Sequence, residues 1–129
     1  VIKEAIQPEG VWRPLGKYSI AVKAVGDSWL FLSGVTPRNE QGEVVGQGDI
    51  RAQTRKVFEN MKTVLQGAGA DFHQIVKATT YVRDVGHYAV IQEVRAEYLT
   101  EPFPASTMVE VQRLSSDDIL IEVEAIAVL

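Results

Sequence analysis

Residues 119–129 read Ile-Leu-Ile-Glu-Val-Glu-Ala-Ile-Ala-Val-Leu. Successive side chains of a β-strand point to opposite faces, so this run separates into two rows. Ile119, Ile121, Val123, Ala125 and Ala127 form one row, wholly apolar. Leu120, Glu122, Glu124, Ile126 and Val128 form the other, which mixes apolar side chains with two carboxylates. The first row needs a core to cover it. The second is too apolar to stay fully wetted and too charged for a simple core. It suits an interface between subunits that also encloses a polar pocket.

Working outward, residues 75–82 and 109–114 read as strands, the latter making a closing pair with 119–129. Residues 18–25 alternate and predict a strand, and residues 2–6 a short edge strand. Trp29-Leu30-Phe31-Leu32 is a continuous apolar run, expected to be central and buried on both faces. Asp49 predicts the N-cap of a helix. Ile50, Val57, Met61, Val64 and Ala68 share a stripe of it, Phe58 and Leu65 widen the stripe, and Gly67 and Gly69 supply the stop. Asp84 predicts the cap of a second helix, with Tyr88, Ile91, Val94 or Arg95, and Tyr98 on one face. Strands, helix, strand, helix, strands is the order of an α+β fold: a single mixed β-sheet with two helices on one face, one domain over residues 1–129.

Bulk composition narrows the function. Hydrophobic residues make up 46% and charged residues 23%, as in ordinary globular domains. A net charge of -4 argues against nucleic acid and anionic membranes as partners. With no cysteine there is no disulfide, thiolate metal site or cysteine nucleophile. No apolar run approaches the roughly 20 residues of a membrane span. The first ten residues lack a signal-peptide pattern, so a cytoplasmic location is expected.

Three places could carry chemistry. Glu122 and Glu124, at i and i+2, project to the same face about 7 Å apart, a spacing open to acid/base work and equally to ordinary surface carboxylates. Ser33-Gly34 closes the apolar strand run, where a glycine permits close approach to the backbone; a plain strand exit reads the same way. Pro102-Phe103-Pro104 gives an extended lead-in to Ser106 and Thr107, two small hydroxyls at a strand mouth. His73 and His87 have no metal-ligand spacing, and no metal is expected. Arg51 and Arg55 read as solvated helix residues. Arg13, Lys17 and Arg38 lie in irregular segments where a small anion could be met.

Taken together, several stretches resemble the Rid family, also known as YjgF or L-PSP. These are Gly16-Lys17-Tyr18-Ser19, Phe31-Leu32-Ser33-Gly34-Val35-Thr36-Pro37, Gln53-Thr54-Arg55 with Glu59-Asn60, Asp71 to Val82, Phe103-Pro104-Ala105 with Val109-Glu110-Val111, and Ile121 to Ala127. The resemblance implies a chorismate-mutase-like fold assembling as a homotrimer, with clefts between subunits. It also implies hydrolysis of small enamines and imines to a 2-oxo acid and ammonia, without cofactor or metal. Carried over by position, Glu122 orients the attacking water, and Ser33 and Tyr18 complete the catalytic set. Gly34, Gln92, Ser106, Thr107, Met108, Arg38 and Trp12 are expected to contact the substrate. Ser106 stands where deaminating members have an arginine that grips the substrate carboxylate bidentately, which a serine cannot do. Arg13, Arg38 or Lys17 could compensate. Two readings follow: a hydrolase of a small imine, enamine or related metabolite differing from the standard substrate, or a non-catalytic trimer that binds a small metabolite.

Overall fold

The computed structural model describes residues 2–129; Val1, the first residue of the expected domain, lies outside the described residues. In chain order the elements are β1 (Ile2–Ile6), β2 (Ala21–Val25), β3 (Trp29–Val35), α1 (Ile50–Gly67), β4 (Ile75–Val82), α2 (Tyr88–Arg95), β5 (Ala105–Glu110) and β6 (Ile121–Val128). Four strands form a mixed sheet in the order β3-β6-β4-β5. The β3–β6 and β4–β6 pairs are antiparallel and the β4–β5 pair is parallel.

The apolar row of β6 decides which face is covered. Ile121, Val123, Ala125 and Ala127 are buried, together with Ala78 and Val82 of β4. Over them lie Val57, Phe58, Met61 and Leu65 of α1 and Ile91 of α2, all in one core. Full burial of each large side chain contributes about 1.5–3 kcal/mol. Asp49 caps α1, accepting a hydrogen bond from the Ala52 amide at 3.0 Å. Gly69, at φ +74, takes the left-handed turn that ends this segment. Val64 leaves the expected stripe and is exposed.

Several expectations are corrected. The strands make two sheets where one was expected: β1 and β2 pair only with each other, and a single bridge, Ser19 to Ala105, links them to the four-stranded sheet. The predicted strand over residues 18–25 begins only at Ala21, because Ser19 turns its amide to Pro104 O instead. The run at Trp29 is an edge strand, with Trp29 62% and Phe31 69% exposed. A continuous apolar run needs both faces covered, but it does not specify that its own chain covers them.

The predicted strand at 109–114 starts at Ala105 and ends at Glu110. Its partner is β4, which separates it from β6, so the closing pair are not neighbours. Asp84 caps a short 3-10 turn through the Gly86 amide, and α2 begins after it without a side-chain cap. Arg51 and Arg55 are not merely solvated: they reach Glu93 of α2 and Glu97 just past its end, each at 2.6 Å. Such exposed pairs fix the helix pairing with about 0–1 kcal/mol each. No described helix is long and apolar enough to cross a membrane.

Candidate active site

Pairing register places Glu122 opposite Tyr81, and strand alternation puts both on the sheet face away from the helices. Glu124 lies on the same face and accepts a short hydrogen bond from the Tyr81 hydroxyl. That bond, then burial, then the charges of Glu124 and Glu122 push the Tyr81 hydroxyl pKa up. The two carboxylates thereby differ. Glu124 is engaged, whereas Glu122 accepts no hydrogen bond from another described residue.

Glu122 lies against Gly34. A Cβ at position 34 would fall on Glu122 Oε2, with Glu122 Cδ only 2.8 Å away. The close approach that glycine allows at this strand end is therefore made by a carboxylate of the same chain. Ser33 is exposed next to it. Between Leu32 and Val35 the β3–β6 register shifts, which turns this stretch out of regular pairing.

A second group forms where α2 meets the segment before β2. Gln92 Oε1 accepts from the Lys17 amide at 2.9 Å, and Arg95 Nη2 donates to the Lys17 carbonyl at 3.0 Å. One helix face thus holds both polar groups of residue 17 and sets the position of Tyr18. Gly16 fits because any Cβ there would strike Tyr88 OH and sit 3.0 Å from Gln92 Oε1. The clamped segment, α2 and β5 enclose a pocket of about 280 Å³. Trp12, Tyr18, Gln92, Ser106, Thr107 and Met108 line it, and so does Arg95.

Six of the ten expected site residues therefore share one pocket, while Ser33, Gly34 and Glu122 make the separate group. Within one chain these two groups lie apart. Ser106 is in register with Ala78, a core residue, and so faces the helices. Glu122 faces the other way. Arg38 joins neither: it donates to Thr36 Oγ1 at 2.9 Å and reaches Ser115. Lys17 places its ammonium 5.7 Å from the Phe103 ring centre, a cation–π contact. Arg13 lines a neighbouring hollow with Tyr18 and Phe103. None of the three cations proposed from sequence lines the Ser106 pocket. The cation that does is Arg95, placed by sequence only on the apolar face of a helix. A charge on that face was the available signal. Among the described residues no cluster of His, Asp and Glu could hold a metal ion.

Comparison with known proteins covers almost the whole chain. The family model described as Endoribonuclease L-PSP matches residues 11–129. A RutC family protein of Pyrococcus horikoshii is 45% identical over 127 residues, 98% of each chain. The 3-aminoacrylate deaminase RutC of Acinetobacter baylyi is 40% identical over 125 residues, 97% of each chain. Among solved structures, a protein of the conserved Rid family from Yersinia pestis, YyfB, superposes with a TM-score of 0.91 at 34% identity, covering 98% of both chains.

Proposed function

This chain belongs to the L-PSP family of Rid proteins, and from that premise we propose that it is a hydrolase that deaminates a small imine or enamine. The observation that carries the reading is Glu122: a carboxylate with no hydrogen-bond donor among the other described residues, set over a glycine beside the exposed Ser33. Such a group can hold a water and take its proton. The water oxygen bonds to the imine carbon as the C=N π pair moves to nitrogen. The proton returns to nitrogen, giving a carbinolamine. Its hydroxyl proton then passes to nitrogen as the C–N bond breaks and the C=O bond forms, and a carbonyl compound and ammonia leave. An iminium carbon is already electrophilic, so a positioned base supplies most of what the step needs. The relative named as a 3-aminoacrylate deaminase supports this class of substrate.

The reading places the reaction in a cleft between subunits of a homotrimer. Glu122 and Ser106 face opposite sides of one sheet, so a second copy is needed to bring the Glu122 group of one chain to the Tyr18–Ser106 pocket of another. The stacked, exposed Trp29 and Phe31, with ring centroids 6.1 Å apart, supply apolar surface for that contact. The family description names an endoribonuclease; a net charge of -4 weighs against RNA as the substrate.

The test is imine decay. 2-Aminoacrylate is generated in place by a pyridoxal-phosphate lyase, and its loss is followed with and without the protein. Acceleration well above the buffer rate is expected. If neither the native protein nor Ser106→Arg accelerates decay, the hydrolase reading fails and a metabolite-binding trimer takes its place. A further expectation concerns Gly34→Ala. The added methyl displaces the Glu122 carboxylate, and a misplacement of about 1 Å costs on the order of 10²-fold in rate. Because a flexible carboxylate can swing aside, the melting temperature should stay near native. Unchanged activity in this variant would show that Glu122 does not act from its observed position.

A further inference from the structure

Arg95 is 1% exposed, in a part of the molecule that offers it no countercharge. The ion pairs among the described residues do not include it. Its one side-chain hydrogen bond is Nη2 to the Lys17 carbonyl, and its buried Nε–H has no partner among the described residues. Burial pulls its pKa down to about 10, so it stays charged at neutral pH. A guanidinium has five donors, and a buried charge left with unmet donors is costly. Holding the Lys17 carbonyl does not require that cost. A neutral amide such as that of Gln92, which already meets the Lys17 amide, would serve.

Around it the pocket has a consistent chemistry. Arg95 is its one charged lining residue among the described residues, and Trp12, Tyr18, Tyr88, Ser106 and Gln92 supply the neutral polar side chains. The Thr107 hydroxyl is turned to the other face of the sheet, where it accepts from Lys77 at 2.9 Å. No carboxylate lines it. One cation, several neutral donors and a volume of about 280 Å³ suit a small monoanion. We propose that Arg95 binds the substrate carboxylate, supplying from α2 the cation that β5 lacks at Ser106. The ligand class is a small 2-imino, 2-enamino or 2-oxo monocarboxylic acid. The inference rests on the hydrolase reading for the identity of the substrate, though not for the presence of an anion site.

Pyruvate, a stable 2-oxo acid, and pyruvamide, its neutral counterpart, separate charge recognition from a structural role. In the native protein, pyruvate should bind more tightly than pyruvamide by calorimetry. It should also shift the ¹⁵Nε–¹Hε resonance of Arg95, a readout that needs no variant except for assignment. Arg95→Gln should weaken pyruvate at least about 30-fold, the equivalent of about 2 kcal/mol, and leave pyruvamide unchanged. Arg95→Lys should keep part of the preference. The proposal is overturned if native protein does not prefer pyruvate, if pyruvate leaves the Arg95 resonance unmoved, or if a folded Arg95→Gln binds pyruvate as native does. Should Arg95→Gln not fold, the resonance shift and Arg95→Lys decide. Imine turnover measured in parallel separates the two claims. Turnover with Arg95-independent pyruvate binding overturns only the anion site. Arg95-dependent binding without turnover overturns only the hydrolase.

Discussion

Glu122→Gln is expected to lower the rate of imine hydrolysis by about 10²–10⁴-fold, the range lost with a positioned general base. The amide has nearly the shape of the carboxylate and still fits over Gly34, so packing is retained. It has no charge and cannot take a proton from water. The loss should fall on kcat, because a base that acts on water is used in the transition state and little in substrate binding. Glu124→Gln is the internal control. Its carboxylate is occupied by the Tyr81 hydroxyl, so its effect should be much smaller. Decay of 2-aminoacrylate under saturating and limiting protein measures both variants. Native kcat in Glu122→Gln, with a native melting profile, would remove Glu122 from the mechanism.

The second large effect is on stability. Gln53→Leu is expected to destabilise the fold by about 3 kcal/mol, lowering the melting temperature by roughly 10 °C. Gln53 is fully buried on α1 and holds three backbone groups. Its Nε2 donates to Asp118 O at 2.7 Å and to Val45 O at 3.2 Å. Its Oε1 accepts from the Leu120 amide at 2.7 Å. Leucine fills a similar volume but leaves these groups without their partner, and each unmet buried group costs about 1–3 kcal/mol. The loop from 111 to 120 delivers the chain into β6, so its loosening should also raise amide exchange at Leu120. Chemical denaturation at fixed protein concentration measures the difference, which holds any oligomer contribution constant. A change below about 1 kcal/mol would mean that the loop repacks or that water replaces the amide.

Much of the frame was legible because it is written in local periodicity. Residues 75–82 form a strand with the expected bounds, and Asp49 caps the helix it was expected to cap. The two rows of β6 divide as read, the apolar one into the core and the carboxylates onto the other face. Around the site, Gly34 was marked as a place of close approach, and what approaches is Glu122. Tyr18, Gln92, Ser106, Thr107, Met108 and Trp12, six of the expected site residues, line one pocket, whereas Gly34 and Arg38 lie outside it.

The errors have a common cause. Apolar content placed Trp29 and Phe31 in the centre of a sheet, yet composition carries no information on which chain covers a face. Prolines located the lead-in to β5, but its starting residue depends on Pro104 and Ser19 finding each other across 85 positions. Arg95 was one alternative in a helical stripe. Nothing local to α2 announces that Lys17, 78 residues away, will pack on it and close a pocket. The amino-acid sequence by itself determined α1 with its cap, β4, the two rows of β6 and the family, because periods of 2 and 3.6 and ordered motifs are properties of contiguous residues. Only the tertiary structure decided the strand order, the edge position of β3 and the presence of Arg95 in the pocket that Ser106 lines, because each depends on contacts between segments far apart in the chain.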